Sequence, residues 1–114
     1  MNIIFQVQES EQVIRGMIEG ELDTFTAPQL KEELEAMELA EGVYVEIDLS
    51  KLNYMDSTGL GVFVGFYKRA KREQASVKLV GLSSRLRRLF EITGLSDLME
   101  IENEKRVELS NEGI

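Results

Sequence analysis

Residues 43–70 contain a change of hydrophobic period, and that change dictates most of what this chain can fold into. Val43, Val45, Ile47 and Leu49 are apolar in alternation with other residues, which predicts a strand with one buried face. Further on, Leu60, Phe63, Val64, Tyr67 and Ala70 are apolar at the i, i+3, i+4, i+7 spacing of a helix face. Asp56-Ser57-Thr58-Gly59 therefore falls at a strand-to-helix turn. Short polar side chains there can accept the free N–H groups of the first helical turn. Such a turn is also a seat for an anion. Ser57 can be read as a helix cap or as a switch, and periodicity leaves both open.

The flanking segments repeat the motif. Ile3, Phe5 and Val7 share one face of a first strand, and Ile14, Gly16 and Ile18 one face of a second. The short polar connection Gln8–Gln12 predicts an antiparallel hairpin. Gly20-Glu21-Leu22-Asp23 closes the second strand. Thr26 then reads as the N-cap of a helix, with Pro28 in its first turn and Gln29 placed as in a capping box. Leu30, Leu34 and Met37 form the buried stripe of that helix, extended by Ala27 and Ala40; Glu32, Glu33, Glu35 and Glu38 face water, and Gly42 stops it. After the Ser57 helix, which is expected to run to about Glu73, come a strand over Val77–Val80 and a helix capped by Ser83 or Ser84. Leu86, Leu89 and Phe90 form its stripe, and Gly94 closes it with Leu95 packing back. Leu98–Ile101 is a short last strand. The order β-β-α-β-α-β-α-(β) predicts an α/β sandwich on a mixed sheet of four to five strands, with the strands on either side of the first helix parallel. Residues 1–102 form one domain on this reading, and 103–114 an acidic tail or a frayed helix.

What is missing narrows the function. The chain has neither Cys nor His. Disulfides, thiolate metal sites and a Ser-His-Asp system are thereby excluded. No apolar run approaches the length of a membrane span. The first residues lack the basic start of a secretory signal, so a cytoplasmic location is expected, with no membrane partner. The net charge of −8 is uneven: 13 acids against 3 bases over 1–66, 3 against 8 over 67–99, and 5 against 2 over 100–114. Direct nucleic-acid binding is not expected of so acidic a chain. The basic group Lys68, Arg69, Lys71, Arg72, Arg85, Arg87 and Arg88 reads as solvated helix surface.

Two places can carry chemistry. At the Ser57 turn, Ser57 and Thr58 supply hydroxyls, and Gly59 and Gly61 leave the backbone uncovered. Gly59, Gly61 and Gly65 in one helix each sacrifice about 1 kcal/mol relative to Ala. That is unusual for a purely structural element, although tight helix-to-sheet packing would also account for it. Val62 and Phe66 lie off the core stripe, beside Gly61 and Gly65, so that side is either buried or a docking surface. The second place is Gly20–Thr24. If its strand is parallel to the next one, Asp23 ends at the same sheet edge as Ser57.

The run Met-Asp-Ser-Thr-Gly-Leu-Gly-Val-Phe-Val-Gly at 55–65 resembles the signature of bacterial anti-sigma factor antagonists, the STAS domain family, and most of all its RsbV type, which antagonises an anti-sigma-B factor. Gly20-Glu21-Leu22-Asp23 followed by Ala27-Pro28 is similar to the family's first loop, and Leu86–Leu95 to its third helix. The resemblance implies a STAS-type fold and no enzymatic activity, cofactor or metal. It implies that Ser57 is phosphorylated by the anti-sigma factor, itself an ATP-dependent serine kinase, and restored by a PP2C-type phosphatase. The unphosphorylated form would bind the kinase and release the sigma factor. Glu21, Asp23, Thr24, Asp56, Ser57, Thr58, Gly59, Leu60 and Gly61 would form the partner surface.

Rival readings fare worse on the residues. Asp-Ser-Thr-Gly resembles an aspartic-protease loop, but an extra residue separates Asp from Gly and no second loop completes a dyad. A receiver domain would need an acidic pair after the first strand, which Gln8-Glu9 does not supply. The remaining alternative is a STAS module serving a different kinase or stress-signalling partner.

Overall fold

The computed structural model describes residues 3–103; the expected tail or frayed helix, Asn103 apart, lies outside the described residues. In chain order the elements are β1 (Ile3–Ser10), β2 (Val13–Leu22), α1 (Ala27–Glu35), β3 (Tyr44–Met55), α2 (Ser57–Arg72), β4 (Ser76–Leu82), α3 (Ser84–Ile92), a single 3-10 turn (Leu95–Asp97) and β5 (Glu100–Asn103). The five strands lie in sequence order across one mixed sheet. β1 is antiparallel to β2, and β2 through β5 run parallel. A helix stands in every parallel connection, as a crossover requires.

Burial alternates along the central strands. Val45, Ile47 and Leu49 are buried, whereas Tyr44, Glu46 and Asp48 are half-buried. Only one face of the sheet is therefore closed, and the helices lie on it. Ile14, Ile18 and Leu22 of β2, Leu79 and Leu82 of β4, Leu30 and Leu34 of α1, Phe63 of α2 and Phe90 of α3 make the core. The Phe63 and Phe90 rings, 6.3 Å apart and tilted by 55°, join α2 to α3. On the other face charges pair across strands: Arg15 Nε meets Glu46 at 3.1 Å and Lys78 Nζ meets Glu102 at 3.2 Å. The hydrogen bond to Glu102, with the charge of Glu100 behind it, holds the Lys78 amine above its ordinary pKa, and burial opposes them.

The structure departs from the sequence reading in four places. First, β3 continues past Leu49 to Met55. Its pairing with β2 shifts register twice, so Leu49, Leu52 and Met55 are all buried at intervals of three. Strict alternation cannot show such a strand. Second, α1 stops at Glu35. Met37 is still buried, but Ala40 is exposed, and Gly42 serves a turn before β3 at φ +90° rather than ending the helix. The guanidinium of Arg69 on α2 donates to the carbonyls of Leu34 and Met37, so the turn that leaves α1 is bonded from across the fold. One member of the basic group is thus structural. Third, Thr26 makes no side-chain cap to α1, and Gln29 reaches Ile3 O and Glu33 instead. Fourth, the last strand is Glu100–Asn103 rather than Leu98–Ile101, and Leu98 is exposed. Of the two readings left open for the Val62 and Phe66 side of α2, Phe66 takes the buried one at 5% exposure, because α1 packs beside α2 and widens its apolar face.

Candidate functional site: two aspartate turns at one sheet edge

β2 and β3 pair in parallel as far as Leu22 and Met55. Asp23 and Asp56 therefore follow each other directly across the sheet edge, and the Asp56 N–H still reaches Leu22 O at 3.3 Å. The expected meeting of Gly20–Thr24 with the Ser57 turn is a matter of strand register.

At the second turn Asp56 is the cap. Its backbone is extended, and its carboxylate accepts from the N–H groups of Thr58 at 3.0 Å and Gly59 at 3.3 Å. An Asp at this position satisfies two of the orphan donors of α2 and sits favourably against the helix dipole. Ser57 is the first helical residue and is exposed, as is Thr58. Among the described residues nothing hydrogen-bonds the Ser57 hydroxyl. Of the two readings open in the sequence, capping belongs to Asp56.

Below the turn the contacts are close. A Cβ on Gly59 would come within 2.7 Å of Met55 Cγ and 2.8 Å of Leu22. Gly59 lets α2 press onto the ends of both strands. Leu60 is 6% exposed and belongs to the core, so it supports the turn from beneath. Gly61 and Gly65 differ: a Cβ on either meets nothing within 4 Å. They face a groove between α1 and α2 of about 360 Å³, bounded by Lys31, Leu34 and Glu35 on one side and by Thr58, Phe66 and Arg72 on the other.

At the first turn Asp23 is buried. Its Oδ1 accepts from the N–H groups of Phe25 at 2.9 Å and Thr26 at 3.0 Å. The Thr26 hydroxyl accepts the Asp23 N–H at 2.9 Å and shares its proton between Glu21 O at 2.7 Å and Asp23 Oδ1 at 3.2 Å. Burial alone would push the Asp23 carboxyl up, but the backbone N–H groups of Thr26 and Phe25 and the Thr26 hydroxyl outweigh it and hold the pKa below its ordinary value. Asp23 is thus an anion inside the loop. Thr24 is exposed and Glu21 half-buried.

The accessible part of the edge is therefore Glu21, Thr24, Asp56, Ser57, Thr58 and Gly61. Two neighbours went unnoticed in the sequence. Phe25, 85% exposed, projects from the first turn, and Tyr54, 47% exposed, stands opposite Glu21. The available signal for Phe25 was an aromatic residue between two threonines in a polar turn.

The five-stranded mixed sheet covered on one face by three helices is the fold of solved STAS-type neighbours, and the STAS domain model matches residues 5–107. The chain belongs to the STAS domain family. It is 51% identical over 104 residues to the anti-sigma-B factor antagonist of Listeria monocytogenes, covering 90% of this chain and 91% of that one. An anti-sigma factor antagonist from Mycobacterium paratuberculosis superposes with a TM-score of 0.80 at 24% identity, over 96% of this chain and 93% of that one. The anti-sigma factor antagonist SpoIIAA in its unphosphorylated form gives a TM-score of 0.68 at 21% identity, over 97% and 98%.

Proposed function

We propose that this chain is an anti-sigma factor antagonist of the anti-sigma-B type, switched by phosphorylation of Ser57. Unphosphorylated, it binds an anti-sigma factor that is also a serine kinase, and the sigma factor is released. Phosphoryl transfer from ATP to the Ser57 hydroxyl ends the binding, and a PP2C-type phosphatase restores it. The chain itself is the substrate in both reactions and catalyses neither. Its place is the cytoplasm, with kinase and phosphatase as its partners.

One observation carries the reading. The Ser57 hydroxyl is exposed and, among the described residues, unbonded, while Asp56 holds the helix end. Modification therefore removes no contact of the fold. A phosphoserine brings about −1.5 to −2 charge. The Thr58 and Gly59 N–H groups that would best receive that charge are already taken by Asp56. The phosphate accordingly remains at the surface, beside Asp56 and near the anionic Asp23. A partner docked over this small edge meets bulk and repulsion there, which shortens the life of the complex. The switch is local and leaves the backbone in place.

The test is intact mass after incubation with the cognate anti-sigma-B factor and ATP. One phosphate is expected on the native chain and none on Ser57→Ala. Backbone chemical shifts should change around the Ser57 turn only. An active kinase that leaves the native chain unmodified, or shifts that move throughout the sheet, would overturn the reading.

A further inference from the structure

We propose that Phe25 is the apolar anchor by which the unphosphorylated chain grips its anti-sigma factor, with Tyr54 as a second and lesser contact; this rests on the reading just given. The chain has eight aromatic residues, five Phe and three Tyr. Six of them are buried or half-buried, and only Phe25 and Tyr54 are exposed. Both stand at the sheet edge that carries Ser57: Tyr54 two residues before Asp56 and paired with Glu21, Phe25 two residues after Asp23. Among the described residues the exposed large aliphatic side chains lie elsewhere, Ile4 and Val7 on β1 and Ile92 and Leu98 around the end of α3.

Phe25 is exposed without being loose. Its N–H is held by Asp23 Oδ1 at 2.9 Å, the next N–H by the same oxygen at 3.0 Å, and the Ala27 N–H by Asp23 O at 2.8 Å. The backbone under the ring is fixed by a buried anion, while the side chain itself is 85% exposed. A partner that buries it gains the apolar contact and has little loop entropy to remove. Aromatic residues presented in this manner dominate the energetics of many interfaces. The occupant must also reach Ser57 Oγ with a phosphoryl donor, so its matching surface is an apolar recess beside a nucleotide-binding cleft. Ring and hydroxyl are then read together: the ring supplies affinity, and the hydroxyl supplies the veto once phosphorylated.

Binding of the purified cognate anti-sigma-B factor to the native chain, Phe25→Ala, Phe25→Tyr and Tyr54→Ala tests this. Phe25→Ala is expected to weaken binding by about 30-fold or more, and Tyr54→Ala by roughly 3- to 10-fold. Phe25→Tyr should stay within a few-fold of native. All three variants should melt as the native chain does, because the rings are solvated. In the kinase reaction Phe25→Ala should raise KM and leave kcat unchanged, the sign of lost binding rather than lost chemistry. Phe25→Ala binding within twofold of native overturns the anchor while leaving the antagonist reading intact. Failure of the native chain to bind overturns that reading, and the anchor falls with it.

Discussion

The two turns at the sheet edge are built from the same parts and put to opposite uses. Each follows a parallel strand, each has an Asp whose carboxylate accepts two backbone N–H groups, and each has a hydroxyl residue close behind. At Asp23 the hydroxyl is that of Thr26, 5% exposed and bonded on every side. At Asp56 it is that of Ser57, exposed and bonded to nothing among the described residues. A hydroxyl that completes a buried network cannot be modified without dismantling it. A hydroxyl relieved of capping duty by its neighbour can be. The carboxylate in each turn does the structural work; the difference in burial decides which hydroxyl is free.

Removing the two hydroxyls gives the sharpest test of this contrast. Thr26→Val leaves the Asp23 N–H and the Glu21 carbonyl without their partner in a buried loop. A loss of about 2 kcal/mol is expected from unsatisfied groups of this kind. Ser57→Ala removes no contact and should stay within about 0.5 kcal/mol of native. Urea denaturation of the two variants measures both. Equal losses would break the comparison, since Ser57 would then be a structural residue like Thr26.

The glycines of α2 sharpen it from beneath. Gly59→Ala drives a methyl to 2.7–2.8 Å from Met55 and Leu22. Overpacking of roughly 1–3 kcal/mol exceeds the gain of about 1 kcal/mol in helix propensity, so a net loss of about 1 kcal/mol is expected. Gly61→Ala and Gly65→Ala meet open space and should each stabilise the chain by up to about 1 kcal/mol. Opposite signs at positions two residues apart, read as shifts in urea midpoint, would show that the fold needs the first glycine alone. A loss at Gly61 as large as at Gly59 would mean that the groove is closed in solution.

How much of this was legible beforehand follows from how local each signal is. Period and turn chemistry placed β2, the start of β3, α2 and α3, and parallel pairing put Asp23 beside Asp56. Three features depend on residues distant in sequence and left no local trace. Arg69 of α2 bonds the carbonyls of Leu34 and Met37 at the end of α1. The register shifts against β2 carry β3 on to Met55. Packing of α1 beside α2 buries Phe66. At the site, the polar turn and its motif were readable, but the division of labour within it was not. Asp56, Ser57 and Thr26 are all good capping types, and only geometry assigns the cap to Asp56, the network to Thr26 and the freedom to Ser57. Leu60 lies within the motif and is buried, as its place on the apolar stripe of the helix leads one to expect.

The smallest effect concerns the acid limb of stability, and it depends on the first turn alone. The folded pKa of Asp23 lies below its ordinary value of 3.8, because burial, which opposes ionisation, is outweighed by the N–H groups of Thr26 and Phe25 and the Thr26 hydroxyl. Between the folded and unfolded pKa values the unfolded chain binds more protons at this position, so stability rises with pH there. The contribution is complete above the unfolded value and is lost as pH falls through the folded one. Asp23→Asn cannot ionise, although its amide oxygen can still accept an N–H. The gap in urea midpoint between the native chain and Asp23→Asn should therefore hold steady from neutral pH to about pH 5 and narrow below it. A gap that stays constant or widens on acidification would show that the Asp23 charge is not what holds the loop. The rigid presentation of Phe25 would then need another cause, and the two turns would differ in burial without differing in electrostatics.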